Sequence, residues 1–258
     1  MKRAIANHTK SLLTGCAVLV AAGLIGAAAL TRGPDIAAFP AMAEHPVVMP
    51  DGAPLYVQKY EVSVAEWNSC HAAGACTLVL RVAGNQTAEE MPATGLSFVD
   101  VSEYLNWING WADVTFRLPT LMEWEYMAAE VLPEAPDPIF TDPELTWASA
   151  YLMEPTTKRT LRARGSFDTT SEGIVDLNGS VWEWTMDCYA GAAEGRITPD
   201  RCPAFFVGGE HVAAMSFLVR DPARGGCAVG TPPAHLGMRL VSDDVPTALL
   251  EAGLLRQK

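Results

Sequence analysis

The chain is poor in basic residues. It has 258 residues, with 18 Lys and Arg against 30 Asp and Glu, and a formal net charge of -12. Binding to nucleic acids requires clustered Lys and Arg that neutralise phosphates, so this composition argues against a nucleic-acid partner. Charged residues make up only 19% and hydrophobic residues 49%, which excludes a disordered chain. The length suits one large domain or two small ones.

Charged side chains are also missing from one stretch near the amino terminus. Lys2, Arg3 and Lys10 precede an uncharged run over residues 11–30, and Arg32 follows it. About 20 apolar residues cross a bilayer, so the run is a secretory signal or a membrane span. The basic flank predicts that the rest of the chain lies outside the cytoplasm.

The fate of this amino-terminal segment has three alternatives. The pattern favours an uncleaved anchor, because the small-x-small site at 41–43 lies well beyond the apolar run. Cleavage at that site is the second alternative. Lipidation of Cys16 is the third, although the apolar stretch follows this cysteine instead of preceding it.

Five cysteines follow Cys16, and export makes disulfides between them possible. The spacing of Ser63 and Glu66 is a capping box, which predicts a helix from this point to a stop at Gly74. Cys70 and Cys76 lie on either side of that stop, close enough for a local disulfide. A zinc site is the competing interpretation, but no second ligand pair has matching spacing.

Two further capping boxes predict helices. One pairs Asp100 with Glu103 and its helix stops near Gly110, and the other pairs Thr120 with Glu123. We expect a strand at Leu55 to Tyr60, short antiparallel strands after Gly173, and a short terminal helix over 249–258. Propensity alone therefore predicts only a mixed, loop-rich fold.

Six segments in this order resemble the sulfatase-modifying factor family, whose best-known members are formylglycine-generating enzymes. They are YEVSVAEWNSC (60–70), PATGLSFVDVSEYLNWI (92–108), FRLPTLMEWEYMAA (116–129), GIVDLNGSVWEWTMDCY (173–189), VGG (207–209) and HLGMRLV (235–241). The resemblance implies an α+β, heavily modified C-type-lectin-like fold that is loop-rich, with small antiparallel sheets and a few helices. The predicted organisation is a signal or anchor over 1–32, a linker over 33–50, the family domain over 51–245 and a tail over 246–258.

The resemblance also implies one calcium site. Asp176 and Glu183 would supply carboxylates, and Gly179 and Val181 would supply carbonyl oxygens, which are the hard ligands that calcium prefers. The alternative interpretation is that Glu183 caps a loop between two buried tryptophans. A second family calcium site would fall within 150–170, where basic residues outnumber oxygen ligands, and we expect it to be lost.

Family oxidases hold copper(I) on two cysteines and convert a substrate cysteine to formylglycine. Ala213 and Leu218 stand at these two positions, so we expect neither copper nor this oxidation. The resemblance further implies a disulfide between Cys188 and Cys202. Cys227 remains as the odd thiol, and by default it packs as a small hydrophobe. A soft-metal site made of His211, Met215, Cys227 and His235 is an open alternative.

The resemblance implies an accessory or maturation factor, and the amino-terminal segment predicts that it is exported to the periplasmic side of the inner membrane. Its partner would be an exported protein or peptide, and the resemblance points to redox or metal enzymes, including nitrite-reductase systems. The main alternative is a formylglycine-generating oxidoreductase, or another oxidation that uses Cys227 or His211. A carbohydrate-binding lectin follows only from the fold. The H-x-x-x-H-x-E ligand set of the family's iron branch and a G-x-S-x-G nucleophile motif are both missing.

Overall fold

A computed structural model of the chain describes residues 40–132, 139, 152, 160–189, 202–210, 213–222 and 233–247, together with the backbone of 227–229. All of them fall within one unit, Ala38–Lys258. The predicted terminal helix over 249–258, the amino-terminal segment and His211 lie outside the described residues.

Three helices occur in the described part of the chain, and each begins with a capping box. Helix α1 is Val64–Ala72, α2 is Phe98–Ile108 and α3 is Leu121–Ala128. The boxes of α1 and α3 are those predicted. Helix α2 begins three residues earlier than predicted, because Ser97 and Asp100 form its box. The predicted pairing of Asp100 with Glu103 is wrong, since the Asp100 carboxylate accepts from the Ser97 N–H.

Eight strands in the described residues form two small sheets. Their bounds are β1 Val47–Val48, β2 Pro54–Val57, β3 Val181–Tyr189, β4 Ala204–Gly208, β5 Ala213–Ser216, β6 Cys227–Val229, β7 His235–Gly237 and β8 Val241–Ser242. One sheet has the order β1-β2-β8 and the other β6-β5-β4-β3-β7. All pairs are antiparallel except β3 with β7. The predicted mixed, loop-rich α+β class is confirmed.

The end of the predicted linker is part of the fold. Val47 pairs with Leu55 across β1 and β2, and the Ala43 N–H donates to the Val57 carbonyl. Met42 and Ala43 are buried in the two apolar clusters to which β2 also contributes side chains. The boundary that we predicted at residue 51 is therefore about ten residues too late.

Aromatic side chains fill the core between the helices and the larger sheet. Trp67 of α1 stacks on Tyr104 of α2, with ring centroids 5.7 Å apart. Two glycines at the end of β4 leave room for indole rings. A Cβ added at Gly208 would lie 2.1 Å from Trp124, and one at Gly209 would lie 2.2 Å from Trp182. Only glycine fits at these two positions, because interiors are already close-packed.

Candidate functional site

The guanidinium of Arg239 is fully buried, and all five of its N–H groups have acceptors. Nε and Nη2 donate to the Glu183 carboxylate at 3.0 and 2.8 Å. Nη1 donates to the carbonyls of Gln58 and Lys59 at 3.0 and 2.8 Å, and Nη2 also donates to Val175 at 2.9 Å. The fixed fork of donors on arginine thus joins three separate segments of the chain.

Glu183, a predicted calcium ligand, has no free acceptor position. Its Oε1 accepts two bonds from Arg239, while Oε2 accepts from Arg239 at 3.2 Å and from the Trp124 indole N–H at 2.9 Å. The carboxylate is completely buried, and a buried charge is tolerated only when it is paired and hydrogen-bonded. Glu183 therefore links β3 to α3 and to the segment after β7.

The turn at 176–180 uses its side-chain oxygens to hold the loop at 162–168. The Asp176 carboxylate accepts two backbone N–H groups, and Asn178 Oδ1 and Ser180 Oγ accept one each. The four donors are Gly165 and Phe167 for Asp176, Asp168 for Asn178, and Arg162 for Ser180. Oxygens that could have faced a metal are thus bonded to backbone donors.

Two backbone requirements shape this turn. Asp176 has a φ of 67°, in the left-handed region that short polar side chains tolerate better than most. A Cβ added at Gly179 would lie 2.7 Å from the Asp176 carbonyl oxygen, so glycine is required there. The turn is tight because of these two residues.

The predicted calcium cage does not fit this geometry. A calcium ion on Glu183 would compete with the Arg239 guanidinium, which carries charge of the same sign and fills the carboxylate. No group of three or more His, Cys, Asp or Glu in the described ranges could hold a metal ion. Calcium binding at these residues is a prediction of the sequence alone, and the melting experiment described below tests it. The second family site is only partly within the described residues.

Sequence reasoning missed Arg239, although a signal was present. This arginine stands in the apolar run Met238-Arg239-Leu240, between positions that are both buried. A buried arginine is rare unless it is paired. An isolated cation in such a run therefore predicts a buried acidic partner. Glu183, which lies between two tryptophans in the sequence, is the candidate for that partner.

Glu61 is a third acidic group beside this ion pair. It is buried, its Oε2 lies 3.7 Å from Arg239 Nη2, and no described group forms a hydrogen bond with that oxygen. Burial raises the pKa of Glu61 to about 8, an effect that Arg239 opposes and that the charges of Glu183 and Asp176 reinforce. Glu61 and Asp176 line the same narrow cavity. Near neutral pH this carboxyl is largely protonated.

Both predicted disulfides are confirmed. Cys70 and Cys76 are bonded around the stop of α1, with Cα atoms 5.3 Å apart. Cys188 and Cys202 are bonded with Cα atoms 5.8 Å apart. Cys227 lies in β6, opposite Met215 of β5.

The strand order separates two members of the possible soft-metal site. Met215 lies on β5 and His235 on β7, with β4 and β3 between them. Three strand spacings amount to about 14 Å, far more than the distance between two ligands of one ion. The alternative of a joint site with Met215 and His235 is therefore wrong.

The two positions that carry copper-binding cysteines in family oxidases lie on and just after β5. Ala213 is fully buried, whereas Leu218 is 65% exposed in the turn that follows. The Phe98 N–H donates to the Phe217 carbonyl at 3.1 Å, which brings the start of α2 beside this turn. Val99 is 43% exposed there. We call the exposed Val99 and Leu218, together with their half-buried neighbours Phe98 and Phe217, the apolar patch.

The model of the sulfatase-modifying factor enzyme 1-like domain matches residues 5–244. The chain belongs to this family. Small sheets with few helices agree with the heavily modified C-type-lectin-like fold that the family resemblance implies. The comparison with curated proteins found no match.

Three solved structures are similar to this family member. Treponema denticola variable protein 1 is 15% identical, with 79% of this chain and 93% of that chain covered and a TM-score of 0.44. PvdO from Pseudomonas aeruginosa is 15% identical, with 78% and 90% covered and a TM-score of 0.49. CarF is 14% identical, with 73% and 86% covered and a TM-score of 0.46.

We expect Glu183→Gln to destabilise the protein by about 3–5 kcal/mol, because it leaves the buried Arg239 charge without its partner. Glu44→Gln is the matched control. It breaks an exposed pair with Lys59 and should cost less than about 1 kcal/mol. Chemical denaturation measures both changes. A loss for Glu183→Gln no larger than that of the control would contradict the role of the buried pair.

The same proteins test calcium. Because the carboxylate of Glu183 is filled, we expect equal melting temperatures of the parent in EDTA and in excess calcium. A ligand present at 100 times its Kd would instead add about 2.7 kcal/mol to stability. A calcium-dependent rise in the parent that disappears in Glu183→Gln would restore the predicted cage.

Glu61 makes stability depend on pH. Its pKa in the folded protein, about 8, is above the ordinary value of 4.5, so its contribution to stability is full below pH 4.5 and is lost as pH rises through 8. Glu61→Gln mimics the protonated carboxyl. We expect the variant to match the parent near pH 5 and to exceed it by roughly 2–4 kcal/mol near pH 8.5. Parallel pH profiles of the free energy of unfolding would show that Glu61 does not titrate in this range.

Proposed function

We propose that this family member is a non-oxidase accessory or maturation factor that binds an exported protein partner. The observation that carries the proposal is the pair of side chains at the cysteine positions. Ala213 and Leu218 end in methyl groups, and copper(I) needs soft ligands such as thiolates. Four of the five cysteines after Cys16 are joined in disulfides.

The apolar patch supports binding in place of oxidation. Leu218 and Val99 expose apolar surface at a place where family oxidases carry a catalytic thiolate. Contiguous exposed apolar surface is typical of protein interaction sites, since its burial against a partner is favourable. The class of partner, a redox or metal enzyme, follows from the family resemblance.

Two observations support an exported and anchored protein. Disulfides persist in oxidising compartments, and this fold carries two. Cleavage after residue 43 would cut within the folded unit, because Met42 and Ala43 pack with β2. The uncleaved apolar run over 11–30 would then hold the domain on the periplasmic face of the inner membrane. No described helix is long and apolar enough to span a membrane, and the run itself lies outside the described residues.

A formylglycine-generating or other oxidation is the second candidate. One observation favours it. Cys227 of β6 is opposite Met215 of β5, and Ala213 is also a residue of β5. Residue 227 therefore belongs to the same sheet as position 213, one of the two cysteine positions. His211, the other residue considered, lies outside the described residues.

The first test uses the full chain in mild detergent, supplied with copper(I) and oxygen and a peptide that contains Cys-x-Pro-x-Arg. We expect the peptide mass to stay unchanged. The double variant Ala213→Cys/Leu218→Cys is the control, because it returns both thiolates to the scaffold and should bind copper(I). Conversion of the peptide by the parent, and its loss in Cys227→Ser, would establish the second candidate instead.

Localisation is tested separately in a bacterial host. We expect the chain to remain in the membrane pellet after carbonate extraction at its full, uncleaved mass. Protease added to spheroplasts should degrade the domain, which faces the periplasm in this proposal. Protection from protease until the membrane is dissolved would mean that the domain faces the cytoplasm.

A further inference from the structure

The described arginines that form no salt bridge with a described carboxylate line two neighbouring cavities. Of six described arginines, Arg117, Arg220 and Arg239 form salt bridges with carboxylates. The other three line two neighbouring cavities, Arg81 in one and Arg162 and Arg164 in the other. Pro92 lines both cavities. Two acidic residues, Glu61 and Asp176, also line the second cavity, but both are buried, whereas Arg81 and Arg162 are exposed.

The first cavity is lined mainly by apolar side chains and has a volume of about 140 Å³. A cavity of about 150 Å³ can hold benzene, so the space suits one aromatic or branched aliphatic side chain. Val64, Leu80, Val82, Met91 and Leu161 are among its apolar lining residues, and Arg81, Gln86 and Thr94 add polar groups to the wall. We call this cavity, together with Arg81 and Arg162, the arginine groove.

Hydrogen bonds fix the walls of the arginine groove before any partner arrives. The Asn68 amide bonds both the N–H and the carbonyl of Leu80, each at 3.0 Å. The Val64 N–H donates to Met91 at 2.9 Å, and the Arg164 N–H donates to Glu90 at 2.9 Å. A preformed groove loses little conformational entropy on binding, which favours affinity.

The exposed charges at the groove have no salt-bridge partner within the part of the chain that the structure describes. Arg81 and Arg162 are exposed, and no described carboxylate forms a salt bridge with either of them. Arg164 stacks on Tyr60, with its guanidinium carbon 4.9 Å from the ring centroid. Of the acids on the adjoining segments, Glu66 bonds to Ser63, whereas Glu89 and Glu90 are exposed and Glu90 accepts from Thr87.

We infer that the arginine groove binds an extended acidic segment of the partner protein. One bulky apolar side chain of that segment fills the cavity, and flanking carboxylates pair with Arg81 and Arg162. Guanidinium groups bind carboxylates through two parallel hydrogen bonds, and a desolvated apolar anchor supplies most of the binding energy in such contacts. The inference rests on the proposed partner-binding function and names the chemistry of the segment.

The test measures fluorescence anisotropy of short labelled peptides added to the full chain in mild detergent. The probe has a central Phe between Glu and Asp residues. Its matched controls carry Ala for Phe, or Lys for every acidic residue. The double variant Arg81→Gln/Arg162→Gln removes both charges. Met122→Glu/Val48→Glu changes the net charge by the same amount at two exposed positions outside the groove.

We expect the parent to bind the acidic Phe peptide, and the arginine double variant to bind it about tenfold more weakly. The Met122 and Val48 variant should bind like the parent, and both control peptides should bind more weakly than the probe. Equal binding by the arginine variant, equal binding of the Lys peptide, or no binding of the probe would overturn the inference. Phosphatidylglycerol vesicles are a further competitor. If they displace the probe from the parent but not from the arginine double variant, the groove binds a lipid surface and the inference is overturned.

The formylglycine assay distinguishes a failure of the groove inference from a failure of the proposed function. Peptide binding at the groove does not involve Ala213, Leu218 or Cys227. Formylglycine formation by the parent would therefore overturn the proposed function and leave the groove measurement intact. Failure of the acidic peptide to bind, with the substrate cysteine unchanged, would overturn only the groove.

Discussion

The buried ion pair between Arg239 and Glu183 is the contact on which the rest of the structure depends. Arg239 places a charge where no water reaches it, and the five acceptors around it come from three segments distant in sequence. Each segment must take its native position before the guanidinium is satisfied. Because an unpaired buried charge costs several kcal/mol, this requirement makes the central packing all-or-none. Trp124 brings α3 into the same cluster through the carboxylate of Glu183.

Polar groups near this pair serve the fold in the same way. The turn at 176–180 presents oxygens that would suit a hard cation, yet Asp176, Asn178 and Ser180 bond to the backbone of the loop at 162–168. A loop with little regular structure needs partners for its N–H groups, and these oxygens provide them. Glu61 lies beside the ion pair, and its Oε2 has no hydrogen-bond partner among the described groups, so the polar network is incomplete at this oxygen.

The surface of this family member favours binding over oxidation. The family scaffold remains, with its capped helices and two disulfides, while the thiolates that define its oxidases are replaced by Ala213 and Leu218. The surface has two features that could contact another protein, the apolar patch near Leu218 and the arginine groove beside Pro92. Both features are suited to a protein partner, because covering the patch would remove apolar surface from water and the groove presents cations that have no salt bridge to a described carboxylate.

The sequence by itself determined the features that depend on local spacing. Capping boxes at Ser63 and Thr120, the disulfide at 70–76 and the missing cysteine pair could all be recognised in short segments, and motif order carried the family and its fold class. Tertiary structure decided which charges meet. Arg239 and Glu183 are 56 residues apart, and Arg81 and Arg162 border the same surface only after the chain folds. The calcium prediction counted oxygens along one segment. The partners of those oxygens come from elsewhere in the chain, and no local pattern specifies a contact between distant residues.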